Sequence, residues 1–175
     1  MRWTGPKASA AAISAGARCR DQHPPRPFPG DAPLLRTLFR EYAGWLNVDL
    51  DFQGFEAELA DLPGAYAPPG GMTLIAEQDG AALGCVAMRA LTGDTCEMKR
   101  LWLRPGARGL GLGRALAEHL FQAARDAGYR RMALDTLEHM TDALQLYERL
   151  GFHPVPAYYH NPLPGAVYLA RDLTD

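Results

Sequence analysis

Between residues 108 and 120 the chain reads RGLGLGRALAEHL, with glycines at 109, 111 and 113 set between two arginines and a helical pattern beyond. Glycine weakens a helix start, so a local gain must offset it. Bare N–H groups at a helix mouth, aided by about half a positive charge from the aligned peptide dipoles, hold anions such as phosphate. Two common phosphate binders do not fit. A dinucleotide fingerprint begun at Gly109 needs Gly or Ala where Arg114 stands, and one begun at Gly111 meets Leu116. A P-loop needs lysine directly after glycine, and neither Lys7 nor Lys99 follows one. What remains is Arg-x-x-Gly-x-Gly, from Arg108 through Gly111 to Gly113. The amides of Gly109, Leu110, Gly111, Leu112, Gly113 and Arg114 would meet the anion, with Arg108 and Arg114 adding charge-assisted contacts. A tight turn that lets a helix pack closely on a sheet explains the same glycines equally well.

The elements that must position this turn follow from pattern. Asp31 or Ala32 is the cap region of a helix over LLRTLFREYAGWL, with Pro33 suited to its first turn. Leu34, Leu38, Tyr42 and Trp45 recur at helical spacing and are expected in the core. A second short helix fits FQGFEAELADL and stops at Pro63-Gly64. Strand patterns in MTLIAEQ, AALGCVAMRAL and TCEMKRLWLR, joined at Asp79-Gly80 and Gly93-Asp94, predict an antiparallel meander. After the glycine turn, a helix runs from about Leu112 to Ala127 on the apolar line Leu112, Leu116, Leu120 and Ala123 or Ala124, with Gly128 as its stop. RMALDTL is the next strand and Thr141 to Leu150 the last helix. The tail HPVPAYYHNPLPGAVYLARDL reads as two strands around a Pro/Gly turn.

At 175 residues the chain has room for one domain with a proper core. Residues 1–30 are rich in Ala, Pro and Gly and read as a poorly ordered extension, leaving 31–175 as the domain. A net charge of -2 provides no global basic field for nucleic acid. No apolar run is long enough to cross a membrane, and ASAAAISAGA is too weakly apolar for a convincing signal peptide. Cys19, Cys85 and Cys96 form no CxxC and leave one unpaired, so neither a disulfide framework nor a zinc site follows. Cys85 and Cys96, in apolar strand-like runs, are expected to be buried thiols, which fits a reducing cytoplasm. His139, His153 and His160 lack metal-ligand spacing, so no metal is expected.

EMKRLWLRPGARGLGLGRAL, followed some thirty residues later by LYERLGF, resembles the GNAT superfamily of acetyl-CoA-dependent N-acetyltransferases. The element order carries the resemblance over residues 31–173, and its specific core is Glu97 to Phe152. The tail PAYYHNPLPGAVYLARDL is similar to a bacterial subset, some fused to MarR-type regulators, although no regulator domain is expected within this length. The resemblance implies an α/β (α+β) fold, with a central mixed, mostly antiparallel sheet splayed in a V and flanked by about four helices. Acetyl-CoA would enter the opening with its pyrophosphate on the amides of Arg108 to Arg114. Its pantetheine arm would pair with backbone groups of Leu101, Trp102 and Leu103, ladder bonding lent to a ligand. The implied partner is an amine-bearing small molecule or peptide; a homodimer is left open.

Such a reaction meets a protonation problem. An alkyl ammonium with pKa about 10.4 leaves roughly one molecule in a few thousand nucleophilic at pH 7, a handicap of about 4–5 kcal/mol. Glu97 matches a position where many family members place a carboxylate and would act as base, directly or through water. The alternative is a salt bridge to Lys99 or Arg89. Tyr147 matches the family tyrosine near the sulfur of coenzyme A and would assist thiolate departure, since a phenol donates a proton or hydrogen bond. Its alternative is packing, on a face shared with Leu144 and Leu150. A backbone amide near Leu101 is the natural oxyanion donor. Asp135 and Glu138, read as lying just past a strand end, would receive a cationic substrate or cap the next helix. Tyr158, Tyr159, His160 and Asn161 would line the acceptor side.

Two departures from the family pattern stand out. Met140 occupies a slot where many relatives carry Asn, so a polar contact to the coenzyme arm is missing or supplied by Thr136. The strand expected before the first helix falls on RDQHPPRPFPGD, whose prolines cannot donate to a ladder. That strand is expected to be short, at an edge, or absent.

Overall fold

The computed structural model describes residues 18–21 and 32–174. Strand β1 (Arg18–Asp21) pairs antiparallel with β2 at one edge of the sheet. The strand before the first helix is thus short and at an edge, and the prolines of the run come after it in sequence. The rest of the 1–30 segment lies outside the described residues.

Helix α1 spans Ala32–Leu46 and α2 spans Phe55–Asp61, with a 3-10 turn at Asp51–Gln53 between them. Strands β2 (Met72–Gln78), β3 (Ala81–Thr92) and β4 (Thr95–Leu103) form the antiparallel meander. Asp79 and Gly80, both at positive φ, make the first of its turns. Helix α3 (Leu112–Asp126), strand β5 (Arg131–Leu137), helix α4 (Thr141–Arg149) and strands β6 (His153–Pro154) and β7 (Ala166–Asp172) complete the order. The seven strands lie in the sequence β1-β2-β3-β4-β5-β7-β6. The mixed, mostly antiparallel sheet is as expected. Strand β6 is much shorter than the tail pattern suggested, and residues 155–165 form an irregular segment between it and β7.

A core lies on each face of the sheet. On one side α3 contributes Leu112, Leu116, Leu120 and Ala124, the predicted line, joined by Phe121, Met98, Leu134 and Tyr147. On the other, α1 and α2 bury Leu35, Leu38, Phe39, Phe55 and Leu59 against Ile75, Cys85 and Trp102. The apolar line of α1 is therefore shifted: Trp45 is 47% exposed, and Leu34 and Tyr42 are partly buried. Spacing fits both stripes, and packing against Ile75, Cys85 and Trp102 of the sheet selects the one through Leu35, Leu38 and Phe39.

The meander is continuous, whereas β4 and β5 run parallel over only Thr95–Glu97 against Arg131–Ala133. Beyond that point the sheet opens. From Met98 onward, β4 keeps β3 on one side and, among the described residues, has no strand on the other.

Candidate active site

Strand β4 carries a bulge where the opening begins. Ala87 pairs with Lys99 and Cys85 with Trp102, so Val86 faces both Arg100 and Leu101. Arg100 sits at φ 58, a left-handed conformation that costs energy for a non-glycine residue. The bulge reverses side-chain phase. Cys96 and Met98 belong to the α3 core, yet after the bulge Leu101 and Leu103 pack against that same core while Trp102 points to the α1–α2 core. Glu97, Lys99, Arg100 and Trp102 therefore all present side chains toward α1, α2 and the 155–165 segment. The slip was visible in CEMKRLWL, where the apolar phase shifts by one across Lys99-Arg100.

On that side, charged groups alternate across the opening. Glu97 is 1% exposed, and its Oε2 accepts Arg89 Nε and NH2, each at 2.8 Å. Its Oε1 accepts the Tyr158 hydroxyl at 3.0 Å and has Lys99 Nζ at 3.7 Å. Lys99 donates in turn to Asp135 Oδ1 at 3.0 Å, bridging β4 to β5 across the gap. Asp135 Oδ2 accepts Tyr159 Oη at 2.6 Å and Asn161 Nδ2 at 3.1 Å. Burial alone would raise the Asp135 carboxyl; the Lys99 ammonium and these donors outweigh it and hold the group below its ordinary range. Asp135 lies inside β5, not past its end, and is no helix cap, because its position in the strand turns it toward Lys99. Gln53, donating to Tyr159 Oη at 3.3 Å, joins the α1–α2 connection to the same cluster. The sequence placed Tyr158, Tyr159 and Asn161 near the acceptor; it did not show that they reach Glu97 and Asp135.

Arg100 makes a separate buried pair, donating to both Glu58 oxygens at 3.0 and 2.8 Å. Sequence reasoning missed it, since α2 and β4 are far apart in the chain.

At the far end of β4, Gly109 and Gly111 adopt φ 75 and 76, which explains glycine at both. Gly111 caps α3 without any side-chain bond. The first helical bond there runs from the Ala115 amide to the Gly111 carbonyl, and the amides of Gly111, Leu112, Gly113 and Arg114 donate to no protein acceptor among the described residues. Gly113 serves packing: a Cβ there would come within 3.3 Å of Leu146 and 3.5 Å of Leu103. Close packing thus explains Gly113, and positive φ explains Gly109 and Gly111. The arginines are differently employed. Arg114 pairs with Glu118 at 2.7 Å, and the Arg108 guanidinium lies 4.7 Å from the Trp45 ring centroid and 5.0 Å from that of Trp102. Exposed Trp45 is thus a stacking partner of the turn.

Tyr147 is buried in the α3 core, its ring edge-on to Phe152 at 5.8 Å. Its hydroxyl has no protein hydrogen-bond partner among the described residues. Burial pushes the phenol well above its ordinary value, so it stays protonated. Thr136 donates to Met140 Sδ at 3.5 Å. Among the described residues, no group of His, Cys, Asp and Glu is arranged to hold a metal ion.

Residues 34–152 match the acetyltransferase (GNAT) family. The chain belongs to that family. It is 41% identical over 148 residues to an uncharacterized N-acetyltransferase of Schizosaccharomyces pombe, covering 83% of this chain and 91% of the relative. In fold, this GNAT chain is similar to an acetyltransferase from Streptococcus agalactiae, with TM-score 0.73, 21% identity, and 91% and 99% of the two chains covered. An aminoglycoside 6'-N-acetyltransferase complexed with coenzyme A has the same GNAT fold, at TM-score 0.67 and 16% identity over 90% of this chain and 97% of that one. The yeast relative places this GNAT sequence type outside bacteria as well as within them.

Proposed function

We propose that the protein transfers the acetyl group of acetyl-CoA to a primary amine of a small molecule or peptide, with both substrates bound together. The observation that carries this reading is the opening between β4 and β5, which ends at an uncapped helix start. On the side away from β3, Met98 to Trp102 offer backbone groups that no strand among the described residues takes, suited to an amide-bearing arm, while the Leu103 carbonyl accepts Arg108 Nε. The amides of Gly111 to Arg114 and the dipole of α3 suit a pyrophosphate. The coenzyme, when bound, supplies the activated acetyl group.

The remaining chemistry falls to the protein. Glu97 receives the proton of the acceptor amine through Oε1, because Oε2 is committed to Arg89. Tyr147, protonated and without a protein partner, donates toward the leaving sulfur from the opposite core. The Leu101 amide, just past the bulge, donates to the carbonyl oxygen.

Release of coenzyme thiol, measured with a panel of primary amines against an amine-free control, tests the proposal. Amine-dependent release with a matching acetylated product is expected. Coenzyme A binding without release for any amine would make the chain a non-catalytic acyl-CoA binder.

A further inference from the structure

Glu97 is enclosed by other side chains: Arg89 covers Oε2, and Lys99 stands beside Oε1. The remaining hydrogen bond to Oε1 comes from the Tyr158 hydroxyl at 3.0 Å. Tyr158 is only partly buried and lines an open groove with Tyr159, Asn161 and Tyr168. Its ring packs against those of Tyr159 and Tyr168, at centroid distances of 5.6 and 5.2 Å. Those neighbours have other duties, Tyr159 donating to Asp135 and Tyr168 to the Tyr159 carbonyl. Of the three phenols, that of Tyr158 alone links the enclosed carboxylate to the groove.

We propose that Tyr158 is the proton conduit between the acceptor amine and Glu97, an inference that rests on the transferase reading and on Glu97 as its base. The acceptor arrives as an ammonium, which has no electron pair to attack with, so a proton must leave first. One N–H bond breaks and its pair stays on nitrogen. That pair then bonds the acetyl carbon as the carbonyl π pair moves to oxygen; return of the π pair breaks the C–S bond, and the leaving thiolate takes the second surplus proton of the nitrogen. The first proton passes to the Tyr158 oxygen. In the same movement the Tyr158 O–H bond breaks and that proton passes to Glu97 Oε1. Tyr158 begins and ends neutral, and Glu97 ends protonated. After product leaves, the same phenol returns the proton to water.

Burial, followed by the charges of Glu97 and Asp135, pushes the Tyr158 phenol far above its ordinary value. A free phenolate is therefore absent near neutrality, and one proton leaves only as another arrives. The charged and titratable groups facing the relay are Arg89 from β3, Lys99 from β4, Asp135 from β5, Tyr168 from β7 and Tyr159 from its own segment, with Glu58 and Tyr66 beyond Arg89.

Tyr158→Phe in the full chain removes the hydroxyl and keeps the ring contacts. With an accepted amine, its rate constant for acetyl transfer at pH 7 should fall by about tenfold or more, within the range for proton-transfer catalysis. The deficit should shrink as the pH nears the amine's own pKa, while coenzyme A affinity, read by calorimetry, stays within about twofold of wild type. Glu97→Gln should show the same profile, and the double variant should be no slower than the slower single one, because both act on one path. A wild-type pH profile in Tyr158→Phe overturns the conduit; if Glu97→Gln then keeps its pH-dependent deficit, the base survives and water replaces the phenol. Unshifted profiles in both variants overturn conduit and base together. Absence of amine-dependent thiol release in the wild type overturns the transferase reading beneath them.

Discussion

Glu97 and Ala133 are the last paired residues of β4 and β5. Past them each strand keeps its outer partner, β3 for β4 and β7 for β5, so the sheet opens without dissolving either edge. Lys99 spans the opening to Asp135 within two residues of that last pair. The splay thus produces both an unpaired strand edge and a gap into which side chains from opposite cores are turned.

The glycine turn is tested by a pair of substitutions at Gly111. Asn and Asp both tolerate the left-handed conformation found there, so strain is similar and charge differs. Gly111→Asp should bind coenzyme A at least about tenfold more weakly than Gly111→Asn, or about 1.4 kcal/mol, by placing a carboxylate among the amides. Equal affinities by calorimetry would remove the pyrophosphate from this turn.

Tyr147→Phe retains the ring packing on Phe152 and loses no protein hydrogen bond, so the fold should be unaffected. The rate constant for acetyl transfer should fall by roughly ten- to a hundredfold, with little change in the KM for acetyl-CoA. Pre-steady-state measurement of the chemical step is the check, and an unchanged step returns Tyr147 to packing alone.

The buried Arg100–Glu58 pair should matter far more than the exposed Arg40–Glu56 pair. Arg100→Met strands Glu58, whose side chain is 12% exposed, and should cost about 3–5 kcal/mol. Combining it with Glu58→Leu should recover most of that loss. Arg40→Met, at a pair whose side chains are 53% and 62% exposed, should cost less than about 1 kcal/mol. Urea unfolding of the three variants beside wild type provides the comparison.

Asp135 contributes a pH-dependent share of stability. Its carboxyl is held below the ordinary value, so its contribution is complete above the unfolded-state pKa and is lost as the pH falls through the folded one. The stability difference between wild type and Asp135→Asn should be level from pH 7 to about 5 and shrink below about 4. Unfolding curves across that range would show it; a difference level throughout would mean that Asp135 is not ion-paired in solution.

Much of this protein was determined locally. The 3.6-residue period of α3, the Asp79-Gly80 turn and the short apolar runs of β2 to β4 depend on neighbours within a few residues, and each was readable in the chain. The glycine turn was readable too, because positive φ and an uncapped helix start are local backbone properties. Tertiary structure decided the rest. Which stripe of α1 is buried depends on how the helix packs on β2, β3 and β4, so Trp45 lies outside the expected core, in a stack on Arg108. The partners of Glu97 come from β3 and from a segment 61 residues away, and Asp135 meets Lys99 across 36 residues. Sequence pattern carries the period of an element and its ends. The pairing of charges across a splayed sheet arises only when separate elements are packed against one another, where desolvation makes each buried charge require a partner.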